Sequence, residues 1–424
     1  LGRTPNLEIS ANEARKLPET VGRRKQGPDA LGALERVEKL GEEDLMLSRR
    51  INGESHPGTL SLMHSLACMH RALGKLQSAE KLAEESFVLH KKFIGEHHPD
   101  TLSSMQFLAW TYQALGKFES AEKLGEEALV LYKKFIGEDH PDTLSSMHNL
   151  AWTYQELGKW ESAKNMREEL TMVRKTVIGE HHPDTLSSMH SLAWTYQAIG
   201  KLEAAEKLGE EVVVLRRKVI GEHPDTLTSM HFLAWTYQAL GKLEKAEKLE
   251  EEVVVLQKKI VGEYHPDTLT SMHNLASIYQ ALRKSERAED LGEEVVMLQK
   301  KIIGEHHPNT LRSMHNLAIT YHTLGKLTNA EKLGDEVVIL RKKVIGEHHP
   351  DTLSSMHNLA CTYQALERLE SAKKLGEELV VLRKQVNGEH HPNTLSSMHN
   401  LSCIHRALGQ LESAENLGEE VVML

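Results

Sequence analysis

Histidine is the side chain in this sequence best suited to chemistry near neutral pH, and there are 26 of them in 424 residues. Fourteen lie in recurring loops, such as His97-His98 and His181-His182, and eight recur at a single helical position. Imidazole is a common metal ligand, but zinc needs its ligands at about 2.0–2.1 Å. Equivalent loops must lie about one helix pair apart, and packed helices alone are ~8–10 Å between axes. Adjacent loop histidines also point in different directions, and no CxxC or HExxH accompanies them. The loop set therefore reads as helix caps, with no metal expected. A phosphate-binding GxxxxGK[ST] loop is absent, because pairs such as Gly116-Lys117 are followed by Phe, Trp or Leu. No GxSxG elbow is present either. Ser, His and Asp recur in every loop, which suits a repeated structural role better than one active site. No catalytic residue, cofactor or enzymatic activity is expected.

The elements that carry these residues are set by His-Pro pairs ending at Pro57, Pro99, Pro141, Pro183, Pro224, Pro266, Pro308, Pro350 and Pro392. The spacing is 42 residues throughout, except 41 between Pro183 and Pro224. A fixed period of this size indicates stacked supersecondary units. Each unit reads as two helices. In the third, Pro141 suits a first helical turn and Asp142 complements the helix dipole there. Leu144, Met147, Leu150, Ala151 and Tyr154 form an apolar stripe, and Gly158 and Gly179 end the two helices. Neither helix buries its stripe alone, so neighbouring units must stack.

Three boundaries follow. Residues 1–30, broken by Pro5, Pro18 and Pro28, read as an irregular segment or linker. Residues 31–56 read as an orphan second helix, and residues 57–424 as about nine units with the last one truncated. These unmatched ends suggest a piece of a longer protein. The composition is 40% hydrophobic and 26% charged, as in a soluble folded chain. The net charge of −10 argues against a nucleic-acid partner. No apolar run approaches the ~18 residues of a membrane span, and no secretion signal is visible. Three cysteines cannot form a disulfide framework, so a reducing, cytoplasmic location is expected.

The elements HPxT, NLAxxY, GK and AExL recur in nearly every unit. This pattern resembles the 42-residue tetratricopeptide (TPR) repeat of kinesin light chains, which also forms the C-terminal arrays of fungal NLR-like receptors. The resemblance covers about residues 31–424. It implies an all-α solenoid, a right-handed superhelix of helix-turn-helix units, whose first helices line a concave groove.

Counted from the first leucine of each first helix (Leu144 in the third unit), five positions would face that groove. The second is mostly Ser or Thr, with Arg312 the exception. The fifth is a histidine ladder, His148, His190, His231, His273, His315, His357 and His399. The sixth is Asn149, Asn274, Asn316, Asn358 and Asn400, with Phe107 and Phe232 elsewhere. The twelfth is mostly glutamine, including Gln155, Gln197 and Gln238. The ninth is Trp110, Trp152, Trp194 and Trp235 in four successive units, then Ser277, Ile319, Cys361 and Cys403.

Such volume changes suit a surface better than a core, so the tryptophans are expected as groove anchors, extended by Phe107 and Phe232. The asparagines could bond a peptide backbone or, alternatively, neighbouring helices. The ladder would turn positive below about pH 6.5, tightening binding of an acidic peptide. The expected function is a protein–protein interaction scaffold that holds a partner segment in the groove, as the recognition array of an NLR-like receptor. The alternatives are a cargo adaptor like kinesin light chain, or end-to-end self-assembly.

Overall fold

A computed structural model describes residues 28–423, with side chains from residue 36 to residue 422. Residues 1–27, most of the expected irregular segment, lie outside this range. The chain divides into two compact units, residues 1–208 and 209–424. Nineteen helices and no strands occur among the described residues. The first unit opens with α1 (Pro28–Asn52), α2 (Pro57–Ala72) and α3 (Leu76–Phe93). It continues through α4 (Pro99–Ala114), α5 (Phe118–Phe135), α6 (Pro141–Glu156), α7 (Trp160–Val177) and α8 (Pro183–Ala198). The division falls inside α9 (Leu202–Ile220).

The second unit then holds α10 (Pro224–Ala239), α11 (Leu243–Ile260), α12 (Pro266–Ala281), α13 (Ser285–Ile302) and α14 (Pro308–Thr323). After these come α15 (Leu327–Val344), α16 (Pro350–Ala365), α17 (Leu369–Asn387), α18 (Pro392–Ala407) and α19 (Leu411–Met423). From α2 on, even-numbered helices are the first of each repeat and odd-numbered helices the second. The fold is an all-α TPR solenoid.

Each recurring motif has a bond that explains it. All nine first helices carry a histidine N-cap whose Nδ1 accepts from the backbone N–H two residues on; His140 accepts from Asp142 at 3.2 Å. Proline follows at the first helical position, where no N–H is needed. Two residues later a buried threonine hydroxyl donates to the carbonyl of the glycine six residues back, at 2.6–2.9 Å. This latch ties the end of one repeat to the start of the next.

The tyrosine of NLAxxY donates its hydroxyl to a carboxylate on the preceding second helix, as in Tyr154 to Glu126 at 2.7 Å and Tyr321 to Glu293 at 2.6 Å. The lysine of GK reaches the glutamate of AExL one repeat back, as in Lys159 to Glu122 at 2.6 Å and Lys326 to Glu289 at 2.6 Å. The glycine of GK needs a left-handed backbone, with φ +70° at Gly158. Arg283 and Glu367 adopt the same conformation where glycine is replaced.

Leucine and methionine at the stripe positions fill one small core per repeat. One contains Leu129, Leu144, Met147, Leu150 and Leu170; another contains Val296, Leu311, Met314, Leu317 and Val337. A second glycine, midway along most second helices, lets the next first helix approach closely. A Cβ at Gly125 would stand 3.3 Å from Leu150, and one at Gly334 would stand 3.0 Å from Leu359.

The single 41-residue spacing breaks the latch. Gly221 lies five residues before Thr226 instead of six, and the buried Thr226 hydroxyl has no hydrogen-bond partner in the protein. Thr143→Val should therefore cost about 1–3 kcal/mol by orphaning the Gly137 carbonyl, whereas Thr226→Val should change stability by less than about 0.5 kcal/mol. Urea unfolding of the two variants checks this. Equal losses would remove the latch as the reason for the threonine.

Candidate binding surface

Within each unit the first helices of successive repeats are neighbours, and the fifth and sixth positions are where they meet. The His64 ring lies 4.7 Å from the Phe107 ring, edge to face. His231 Nε2 lies 3.1 Å from the Asn274 amide, His273 Nε2 3.5 Å from Asn316 and His315 Nε2 3.4 Å from Asn358. Asn400 donates to Cys361 Sγ at 3.3 Å. The sixth position thus joins helix to helix. Four of the five expected groove asparagines are committed to these internal bonds, while the Asn149 amide nitrogen is buried without a partner.

Phe107 and Phe232 are both buried and are no part of an open surface. Phe107 lies among Ala67, Ala83 and Leu108, and Phe232 lies against Gly209. Gln197 is also buried, and Gln155 accepts from Arg167 at 2.7 Å. Gln238 is half-buried and Arg312 is exposed.

The ladder histidines do not share one environment. His273 is buried between Ser313 and Asn316, and desolvation aided by Arg312 pushes its pKa down to about 4. His315 is pushed down to about 4 by burial and Arg341. Burial and Arg383 lower His357. Desolvation, Arg174 and Arg167 lower His148, though its edge reaches solvent. His273 and His315 therefore stay neutral in mild acid, where a free histidine would charge. His231 behaves oppositely. Burial works against its charge, but the Glu250 carboxylate at 2.9 Å outweighs this and raises its pKa. The remaining ladder members, His190 and His399, are half-buried and exposed.

The ninth position is the open one. Trp152 is 37% exposed, Trp194 37% and Trp235 54%. Trp110 is half-buried, with the Arg71 guanidinium 5.4 Å from its ring. The indoles are held from the side by aromatics that begin the second helices. Phe118 lies 5.9 Å from Trp152, and Trp160 lies 5.9 Å from Trp194. Sequence reasoning missed these two supports; the signal was an aromatic where other repeats place leucine.

Two further residues escaped it. At the mid-helix glycine register of the second helices, α7 carries Arg167 and α11 carries Glu250. They are 5% and 1% exposed. Arg167 bonds Thr195 and Gln155, has no carboxylate partner, and is pushed by burial to about 10.

Burial raises the Cys68 thiol to about 11 and also raises Cys361. Among the described residues Glu38, Glu42 and His70 bring possible ligand atoms within 4.8 Å of one another. Lys75 already holds both Glu38 oxygens, at 2.8 and 2.6 Å. No described helix is long and apolar enough to cross a membrane.

Tetratricopeptide repeat models match residues 69–134 and 112–175, and a second such model matches six successive segments from 185 to 422. The chain belongs to the tetratricopeptide repeat family. Nearly identical TPR-like repeats from Podospora anserina, named for the kinesin light chain, are 36% identical; they cover 48% of this chain and 97% of theirs, with a TM-score of 0.45. The apo quorum sensor NprR of B. thuringiensis is 15% identical over 89% of this chain and 99% of its own, with a TM-score of 0.55. A STAND protein from Pyrococcus horikoshii with a tetratricopeptide repeat sensor is 13% identical over 100% of this chain and 66% of its own, also with a TM-score of 0.55. Both of these share the fold. No curated protein matches in sequence. The tetratricopeptide repeat array is a protein-interaction scaffold.

Proposed function

We propose that the first-helix face of the first unit is a docking surface for an extended segment of a partner protein, anchored by Trp152 and Trp194; Trp235 offers a similar anchor on the second unit taken by itself. The observation that carries this is the contrast on one face. Both phenylalanines there are buried, whereas these three indoles stay more than a third exposed. Large exposed aromatics mark interaction sites, and tryptophan is enriched among residues that dominate binding energy. The near-identity of the repeats favours a recognition array in an NLR-like receptor over a cargo adaptor, with a cytoplasmic location. A nucleotide-binding domain encoded upstream would support the first, and a heptad coiled coil the second. Self-association predicts mass rising with concentration in sedimentation.

A random-peptide library panned against the full chain provides a probe. Trp152→Ala with Trp194→Ala should weaken the selected peptide by ~30-fold or more, the equivalent of about 2 kcal/mol. Arg312→Ala, at an exposed residue on the first helix α14, should leave affinity within about twofold. Unchanged affinity in the tryptophan variant, with helical content intact, would overturn the reading.

A further inference from the structure

Two repeats replace the mid-helix glycine with a long polar side chain that reaches the neighbouring first helices. Arg167 places its guanidinium between Gln155, at the twelfth position of its repeat's first helix, and Thr195, at the tenth position of the next. Glu250 fills the corresponding space in its repeat and meets the fifth-position His231.

Gly334 holds that register on α15, and there the space is open. A cavity of about 220 Å³ is lined by His315, Ile319, His322, Gly334, Cys361 and Thr362, among others. For scale, a cavity of ~150 Å³ accommodates benzene. His322 and Thr362 are the register equivalents of Gln155 and Thr195, the two groups that hold the Arg167 guanidinium. His322 Nε2 is buried without a hydrogen-bond partner. Ile319 and Cys361 occupy the position that carries Trp152 and Trp194 in the Arg167 repeat, so the lining there is smaller. One repeat earlier, at Gly292, the equivalent space shrinks to about 10 Å³. There Ser277 stands at the ninth position, hydrogen-bonded to Asn316.

We propose that the α14–α15–α16 cavity is a receptor for a guanidinium group, the side chain of an arginine from outside the chain. The protein's own Arg167 shows how such a group is held: one hydrogen bond to the twelfth position and one to the tenth of the next helix. His322 Nε2 supplies the acceptor that Gln155 supplies there. The nearby cation is matched too. Arg341 donates to the Asp351 carbonyl at 2.7 Å and Ser355 Oγ at 2.7 Å. Its equivalent Arg174, beside Arg167, donates to the Asp184 carbonyl at 3.1 Å and Ser188 Oγ at 2.6 Å. A guanidinium therefore already coexists with that arginine in the sibling repeat. A carboxylate is disfavoured, because Glu250 is met by His231, whose pKa it raises, whereas His315 is pushed down to about 4 by burial and Arg341. The docking reading enters only as one source of the arginine; the cavity chemistry stands without it.

The test is titration of the full chain with N-acetylarginine amide, followed by NMR or calorimetry. With about 15 non-hydrogen atoms, a Kd of roughly 1 mM is expected. N-acetylnorleucine amide and N-acetylglutamate amide should bind at least about tenfold more weakly. Gly334→Arg, which copies the Arg167 solution, should abolish binding. Cys361→Trp, which restores the sibling's indole, should weaken it and serves if the first variant folds poorly. Agmatine binding as tightly would assign a free guanidino compound as the source; preference for the amide-flanked form would assign an arginine of a partner chain. No saturable binding, equal binding of norleucine amide, or preference for glutamate amide would overturn the proposal. The tryptophan-dependent peptide binding is measured separately, so either idea can fail alone.

Discussion

Lowering the pH from about 7.5 to about 5 should destabilise the second unit by roughly 4 kcal/mol through two histidines alone. His273 and His315 titrate near 4 when folded and near ~6.5 when unfolded. Their folded values are depressed, so their contribution is fully present above the unfolded value. It is lost as pH falls from there toward the folded value, because the unfolded chain takes up protons that the folded chain refuses. At about pH 5 each has forfeited roughly 2 kcal/mol. His231 works in the opposite sense. Its folded pKa is raised, so it gains stability as pH falls through the unfolded value and offsets part of this loss. Glutamine is the chain's own alternative at this position, as Gln106 shows. His273→Gln with His315→Gln should therefore flatten the acid side of the profile. Hydrogen exchange across α12 to α16, compared between wild type and variant, reads the difference. Parallel profiles would refute the assignment to these two rings.

His231→Ala should be the most damaging single change on the first-helix face, at about 3–5 kcal/mol. Its effect comes from what it leaves behind. Glu250 is 1% exposed, and one of its carboxylate oxygens already lacks a partner. Without the imidazole, the buried Glu250 side chain loses its His231 hydrogen bond. Glycine is the usual residue at this register, so adding Glu250→Gly removes the stranded side chain and should recover most of the loss. Urea midpoints of the single and double variants decide this. If the double variant stays as unstable as the single, the cost lies elsewhere in α10.

The repeat was legible because it is written in local chemistry. His-Pro, a threonine two residues on, and the terminal glycines each act on their own helix ends, so a single period suffices to read them. The tryptophans were placed on the surface because their position varies in volume, and three of them are exposed there. The sixth position failed for a different reason. A helical wheel assigns Phe107, Phe232 and Asn274 a direction but does not say that the next first helix stands in it. The ladder is similar, since the pKa of His273 is lowered by its burial and by Arg312 one repeat away. Arg167 and Glu250 were visible as departures from glycine. What they fill became evident only with the cavity at Gly334 beside them.

The cap and latch that join one repeat to the next are built from the same His, Pro, Thr and Gly at almost every junction. A 42-residue block can therefore be copied, deleted or moved, and the new seams still find complementary ends. The faces do not share this uniformity: the ninth position and the mid-helix register differ from block to block. Shuffling blocks would thus rewrite the recognition surface while leaving the scaffold's joints intact, much as type is reset in a fixed frame.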